Sequence, residues 1–413
     1  MHPNAIHKIE RHIKGSLINC YIKDSWPQYE SFDKHVRSLG EEVIKHKKEW
    51  INSTDIFSIF YDLVYEAIKD KADGDEKLEG NLWDVLGDEK GSILTEHIKN
   101  YMISIPRTYD IYIPIPNILE NLPESIELSK NISLLTFKDG AQIPGGYQGG
   151  FLSSFNELQL NKIYFRQRLT GYCGKKLENI CLKRAISNLK ILIQQAIFRN
   201  LFKISPTKAG VSALGLLTHY QVQKVNITSV DLTSGPPKRI NVELPLDFSI
   251  LLNNISFDWG NELLLKAKEN GKIERAISGI MKKAIELIEC EEEESKRVKS
   301  AIEWCFDSYV AENKTLAFLQ ICIGLEAILG DDSYNAPLTE ILADRCAYLI
   351  GNDIKGRKTI KNNFKELYSV RSKLIHGNAL GLDNNQEWYL KWGRAILEVA
   401  ILKEIKHLNL GKK

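Results

Sequence analysis

The sequence predicts an α+β chain in which a mixed α/β N-terminal region is followed by an all-α helical bundle. Three observations carry that expectation. Apolar residues recur at helical spacing over the first hundred positions. Strand-like alternation, broken by proline and glycine, takes over from about residue 105. From about residue 262 to the end, the periodic stretches are helical again. The 413 residues suffice for roughly two to three domains. The texture divides them into 1–104, mainly helical; 105–255, mixed α+β; and 262–413, a helical bundle.

In the first region Phe32, Val36, Leu39, Val43 and Ile44 repeat with helical spacing, and so does the stretch from Ile56 to Ile68. The polar run from Asp70 to Glu79 reads as a loop. His2, His7 and His12 recur every five residues. That interval suits neither a helical nor a strand set of metal ligands, so a solvated N-terminal arm is preferred to a metal site.

In the second region Tyr109-Asp-Ile-Tyr-Ile-Pro-Ile alternates and then meets proline, as an edge strand would. Ile132 to Phe137 is a second candidate strand, and Leu158 to Leu169 covers one or two more. The glycine-rich run Asp139 to Gly150 lacks the Gly-Lys-Ser/Thr ending of a phosphate-binding loop, and a flexible turn is the better reading. Leu177 to Phe202 reads as an amphipathic helix with lysines and arginines on its polar face. Val222 to Phe248 returns to alternation, interrupted by the turn signal Ser234-Gly-Pro-Pro-Lys238.

In the third region Glu262 to Ile288 is one helix, or two if Asn270-Gly271 breaks it. The charge run Glu291 to Lys299 places acids four residues ahead of bases and reads as a solvated helical face. Thr315 to Leu329 is apolar almost all round, as a buried central helix would be. Leu338 to Ile350, Ile360 to Ile375 and Trp388 to Leu408 complete a bundle of about five or six helices.

Composition narrows the function classes. Hydrophobic residues make up 43% and charged residues 26%, as in ordinary globular chains. The 55 basic and 53 acidic residues leave a net charge of +2, too little for a protein that coats nucleic acid, so any such contact is expected at one local cleft. Seven scattered cysteines without a Cys-x-x-Cys pair fit a reducing cytoplasm and argue against a zinc ribbon or a disulfide framework. No secretory signal is expected. The longest apolar stretch, from Leu316 to Leu329, holds Gln320 and Glu326 and is too short to span a bilayer.

The segment with the most chemistry is Glu366-Leu-Tyr368-Ser-Val-Arg371-Ser372-Lys373-Leu-Ile-His376-Gly377-Asn378. The bare arginine-to-histidine spacing carries little, but its context raises it. Leu367, Val370, Leu374 and Ile375 give an apolar side, and Gly377 stands where a glycine would end the helix. His376 then falls at the C-terminal end, where the helix dipole favours a cation. A histidine side chain can give or take a proton near neutrality. Residues five apart on a helix point about 140° away from each other, so Arg371 must reach around, or a second chain must complete the site. RNA cleavage needs a base for the ribose 2′-OH, a fixed cation for the phosphorane and an acid for the 5′-oxygen. Histidine suits the proton steps and arginine the charge. No metal and no cofactor is expected, since no carboxylate cluster offers itself.

With these residues in view, the C-terminal region resembles the HEPN superfamily, most closely its Apea-like branch. The resemblance rests on Leu316 to Gly330 with its Leu-Glu326-Ala-Ile-Leu core, on Leu338 to Ala347 with Leu-Ala-Asp-Arg345, and on Leu367 to Gly377, and covers about 100 to 150 residues. It implies a helical domain that homodimerises so that two arginine–histidine motifs share one cleft. It also implies a metal-independent endoribonuclease leaving a 2′,3′-cyclic phosphate, used in prokaryotic antiphage defence or as a toxin, with RNA (possibly tRNA) as substrate. By motif match Arg371 and His376 are the catalytic pair, supported by Tyr368, Ser372, Lys373 and Glu326. Many members carry Asn, Asp or His where this chain has Ser372, a weaker orienting group. Glu326, in the most apolar helix, is expected to pair with Arg345 or Arg371, or to orient Arg371 or His376. Lys373, Arg345, Lys355, Arg357 and Lys358 are further candidates for holding phosphates, with a solvated loop the equal alternative for the last three. The N-terminal region would sense a phage-derived trigger or bind substrate, by analogy only. The expected location is the cytoplasm, with no membrane partner.

A rival class is a binding module: the same fold without catalysis, serving as a dimerisation or RNA-binding regulator. A partner of a nucleotidyltransferase is a second rival, although the chain has no Gly-Ser-x-Asp-x-Asp motif of its own. Placement separates the first two, because an enzyme needs Arg371 and His376 at a cleft and not in a monomer core.

Overall fold

In the computed structural model, the structure describes residues 1–72, 77–115, 123–144, 158–204, 222–230, 239–258, 260–330, 338–383, 386–408 and 410. The N-terminal helices are α1 (Pro3–Asn19), α2 (Tyr29–Lys47), α3 (Ser53–Lys71) and α4 (Leu82–Ile103). The short strands β1 (Tyr21–Lys23), β2 (Trp26–Gln28) and β3 (Gly80–Asn81) pair in the order β2-β1-β3. The helical stripes read from the sequence pack here: Phe32, Val36, Leu39, Val43, Ile56, Phe60 and Val64 share one core, which Ile9 and Ile13 join. The expected N-terminal arm is instead helical. Pro3 starts α1, the His2 Nδ1 accepts the Asn4 amide at 3.2 Å, and buried Ile9, Ile13 and Leu17 pin the helix down.

The middle region is an antiparallel sheet with a helix against one face. Its strands are β4 (Arg107–Ile115), β5 (Ser125–Glu127), β6 (Ile132–Thr136), β7 (Ile163–Gly171), β9 (Lys224–Ser229) and β10 (Arg239–Glu243), in the order β10-β9-β4-β7-β6-β5. A separate pair joins β8 (Phe202–Ile204) to β11 (Ile255–Phe257). The strand expected at an edge, β4, is interior. Its proline is tolerated because pairing with β9 stops at Tyr112, two residues short of Pro114. The helix expected from Leu177 to Phe202 is shorter. This α5 (Ile180–Phe198) starts where the Asn179 side chain caps the Leu182 amide at 2.9 Å, and Phe202 belongs to β8. Part of the stretch read as strand is helix, α6 (Leu246–Asn254), entered through Pro245. The glycine-rich run is described as far as residue 144 and holds a 3-10 turn at Gly140–Gln142; its remainder, and the turn signal at 234–238, lie outside the described residues.

The C-terminal helices are α7 (Glu262–Glu269), α8 (Ile273–Glu289), α9 (Glu293–Val310), α10 (Lys314–Leu329), α11 (Leu338–Ile350), α12 (Ile354–Ile375) and α13 (Glu387–His407). Gly271 takes a left-handed φ of 64° and separates α7 from α8. α10 is the central helix, packed against α9, α11, α12 and α13, although Leu316 at its start is half exposed. Two glycines let the helices approach. A Cβ at Gly324 would lie 2.7 Å from Leu397 Cδ2, and one at Gly393 would lie 2.8 Å from Leu367 Cδ1.

The chain is thus α+β. Its apolar core joins what the sequence divides: Ile111, Phe165 and Ile227 of the sheet, Leu189 and Leu192 of α5, and Phe306, Phe318 and Leu325 of the bundle form one contiguous cluster. α5 makes the join by packing on β7, α8 and α9. Among the described residues no helix is long and apolar enough to cross a membrane.

Candidate active site

The arginine–histidine segment lies at the C-terminal end of α12, and its helix end is fixed locally. Gly377 takes a φ of 72°, its amide donates to the Leu374 carbonyl at 3.3 Å, and the Asn378 amide donates to the Lys373 carbonyl at 2.8 Å. These are the paired bonds of a glycine-closed helix terminus. His376 occupies the cap position itself, one residue beyond the helix, and its side chain is exposed. Of the predicted apolar stripe, Leu367 and Val370 are buried and Leu374 is half-buried; Ile375 is exposed, because it lies five residues past Val370 and off the stripe.

Arg371 points toward α10. Its Nη2 lies 2.8 Å from Glu326 Oε1, and both side chains keep about a quarter of their surface exposed. Of the two expected partners for Glu326, Arg371 is therefore the one taken. Arg345 instead donates to the Leu329 carbonyl at 2.9 Å and closes the end of α10. The Arg371 guanidinium sits 5.6 Å from the centre of the Tyr368 ring, and the Tyr368 hydroxyl donates to the Cys322 carbonyl at 3.4 Å. Burial, followed by the negative charge of Glu326, pushes the Tyr368 phenol well above its usual range, so it stays a neutral donor. The Arg371–Glu326 contact is an ion pair without hydrogen-bond alignment: Arg371 Nε and Glu326 Oε1 are buried and lack a hydrogen-bond partner. The guanidinium is positioned by one ion pair and one ring, with N–H groups left to donate.

The other predicted residues divide. Ser372 and Lys373 are exposed on the same last turn as His376, where their carbonyls accept from the helix-closing amides. Lys355, Arg357 and Lys358 lie at the opposite end of α12, about 20 Å or more from Arg371 at 1.5 Å per residue. Arg357 is engaged there, donating to the Gly351 carbonyl at 3.2 Å and covering the Tyr348 ring. These three do not share a site with the pair. Among the described residues no hydrogen bond or ion pair joins Arg371 to His376, as their angular separation around the helix requires.

Sequence reading missed the cavity next to Glu326, which neither Arg371 nor His376 lines. This cavity of about 660 Å³ is lined also by Lys296, Arg297, Ser300, Leu338 and Leu342. Lys296 and Arg297 come from the run taken as a solvated face. Lys296 does hold Glu293 at 2.6 Å, but Arg297 donates to the Gly330 carbonyl at 2.9 Å, and Lys299 turns inward to the Ile288 and Cys290 carbonyls at 3.1 and 2.6 Å. The one signal in the run is Lys299, which has Ser295 and not an acid four residues before it. Another cavity, of about 690 Å³, lies between α5, α6, α9 and α10, away from Arg371. All seven cysteines are free thiols, and among the described residues no group of three or more His, Cys, Asp or Glu side chains could hold a metal ion.

No family model, curated protein or solved structure matches the chain.

Proposed function

We propose that the chain is a metal-independent endoribonuclease of the HEPN type, with Arg371 and His376 as its catalytic pair. One observation carries the reading: a part-exposed guanidinium, braced by Glu326 and Tyr368, lies on the same helix end as an exposed, cap-positioned histidine. Arg371 would hold the non-bridging oxygens of the scissile phosphate and stabilise the charge that builds there. His376 would take the proton from the ribose 2′-OH. The 2′-oxygen then bonds to phosphorus, the bond to the 5′-oxygen breaks, and a proton is returned to that leaving oxygen, giving a 2′,3′-cyclic phosphate and a 5′-OH end. One chain supplies one histidine, and its arginine points about 140° away, so a homodimer bringing two such helix ends together would supply both proton carriers. Lys373 and Ser372, exposed beside His376, would touch the flanking backbone. The cell compartment we propose is the cytoplasm, and the role antiphage defence or growth arrest.

The test is expression of the wild type, His376→Ala and Arg371→Ala, with sequencing of RNA 5′-OH ends, followed by cleavage with purified protein in excess chelator. New ends in the wild type alone support the reading. Identical RNA profiles for all three leave the same fold as a dimerising or RNA-binding module.

A further inference from the structure

The seven cysteines serve no step of the proposed chemistry, and six of them are buried. Two of the six meet. Cys173 follows the end of β7 by two residues, and Cys181, eight positions on, is the second residue of α5. Both lie in the shared core, 1% and 4% exposed. The Cys173 thiol donates a hydrogen bond to the Cys181 sulfur, and so does the Tyr172 amide. The Cys181 thiol turns its own hydrogen to the Thr170 carbonyl, with sulfur and oxygen 3.7 Å apart. Gly171, the last residue of β7, makes room for this packing, because a Cβ there would collide with Cys181 Sγ. The turn from strand to helix thus closes around one sulfur.

The chemistry around this pair differs from that around the other buried thiols. Burial alone pushes Cys20 and Cys346 up to about 12, and burial raises Cys305 and Cys322 as well. Such thiols are inert. Cys181 goes the other way. The bond from the Cys173 thiol, joined by the Tyr172 amide and the Arg184 charge, outweighs burial and the Asp55 carboxylate and holds Cys181 below the ordinary thiol value. Its place in the first turn of α5 adds the positive end of the helix dipole. Cys173 is pushed up by burial and by its bond to Cys181, so it keeps its proton. One sulfur is the stronger nucleophile and its neighbour carries the proton, which is what resolving a first oxidation requires. The pair also stands at a seam. Tyr172 packs in the core of the N-terminal helices, whereas Cys173 and Cys181 pack in the core shared by sheet and bundle. The segment between them carries exposed Lys175, Lys176 and Glu178, and Lys175 pairs with Asp62 of α3 at 3.1 Å.

We propose that Cys173 and Cys181 are a peroxide-responsive modification site that forms a reversible disulfide. Cys181, as thiolate, attacks one oxygen of hydrogen peroxide. The sulfur–oxygen bond forms, the oxygen–oxygen bond breaks, and the leaving hydroxide takes up the proton that Cys181 gave up, leaving a sulfenic acid and one water. Cys173 then attacks the oxidised sulfur. The disulfide forms, the sulfur–oxygen bond breaks, and the departing hydroxide takes the Cys173 proton as a second water. The two thiols together lose two electrons and two hydrogens, and the peroxide is reduced to water. A small dithiol reverses the bond by exchange. In a reducing compartment such a disulfide is transient and redox-sensing. It would tie the end of β7 to the start of α5 at the seam between the two cores. This inference does not depend on the nuclease reading, because the bond is detected without cleavage of RNA.

The experiment exposes the reduced full chain to rising hydrogen peroxide, blocks the remaining thiols in denaturant and maps tryptic peptides by mass without reductant. Trypsin cuts after Lys175 and Lys176, so Leu169–Lys175 and Leu177–Lys183, with one cysteine each, stay joined only through the disulfide. The expected product is that linked pair, two hydrogens lighter than its separate peptides. It should form at peroxide levels that leave Cys20, Cys305, Cys322 and Cys346 as thiols, and dithiothreitol should part it. Cys173→Ser should stop at a Cys181 sulfenic acid, trapped with dimedone, and Cys181→Ser should leave Cys173 a thiol. The wild-type map carries the test if either variant fails to fold. No linked pair, a bond from either cysteine to a third, or oxidation of the pair no faster than of the other buried thiols overturns the proposal.

Discussion

Two arginine–carboxylate sites in this molecule solve opposite problems. On the sheet, Asp110 is oversupplied, with two guanidinium groups converging on one carboxylate, and the unpaired atoms nearby are hydroxyl and carbonyl oxygens. At the end of α12, one guanidinium meets one carboxylate without hydrogen-bond alignment, and the unpaired donor is Arg371 Nε. The first is a network that mainly holds cross-strand neighbours together. The second leaves a cation held by one contact with about a quarter of its side chain exposed, which is what charge stabilisation on a substrate requires. Counting salt bridges, two at Asp110 and one at Glu326, does not reveal this difference; the unpaired atoms beside each do.

The sharpest way to break this contrast is His376→Ala. Under the proposed chemistry it lowers RNA cleavage by about 10²–10⁴-fold, while stability shifts by no more than about 0.5 kcal/mol because the side chain is exposed. Urea melts beside single-turnover assays check both halves. Asp110→Ala should show the reverse profile. It strands two guanidinium groups on the sheet and costs about 3 kcal/mol, read from the denaturation midpoint, and any loss of cleavage should follow only from unfolding. Gly393→Ala tests the packing that presents Arg371: its Cβ would press on Leu367 Cδ1, one residue before Tyr368, costing about 1–3 kcal/mol by overpacking. Glu326→Gln should cost about 1 kcal/mol or less, since the pair is part-exposed, but should weaken cleavage by more than its stability loss explains if Glu326 positions Arg371. Thr228→Val is the smallest effect and has the opposite sign. Removing an unpartnered buried hydroxyl should leave unliganded stability unchanged or raise it by up to about 1 kcal/mol, measured by thermal melting.

Much of the bundle could be read in advance because its signals are local. The stripe of Leu367 and Val370, the cap at Gly377 and the break at Gly271 each depend on residues within one or two turns. The strands were legible as elements, but β4 was misplaced to an edge. Proline reports only a missing N–H and cannot say which neighbour is absent beside it. Lys299 was misread for a similar reason: charge patterning along one helix does not show that a side chain turns to cap the carbonyls of the helix before it.

The sequence alone determined where most of the C-terminal helices lie, where α12 ends and that Arg371 and His376 cannot share a narrow face, because backbone geometry and capping chemistry act over a few residues. Only the tertiary structure decided that Arg371, and not Arg345, answers to Glu326, and that Ser133, Asn226 and Thr228 gather beside Arg166 and Arg168. Those meetings depend on how helices 45 residues apart in sequence pack (Glu326 to Arg371) and on the register of strands whose partners are remote in the chain. A period of 3.6 or 2 fixes which way a side chain faces, but not what it will find there.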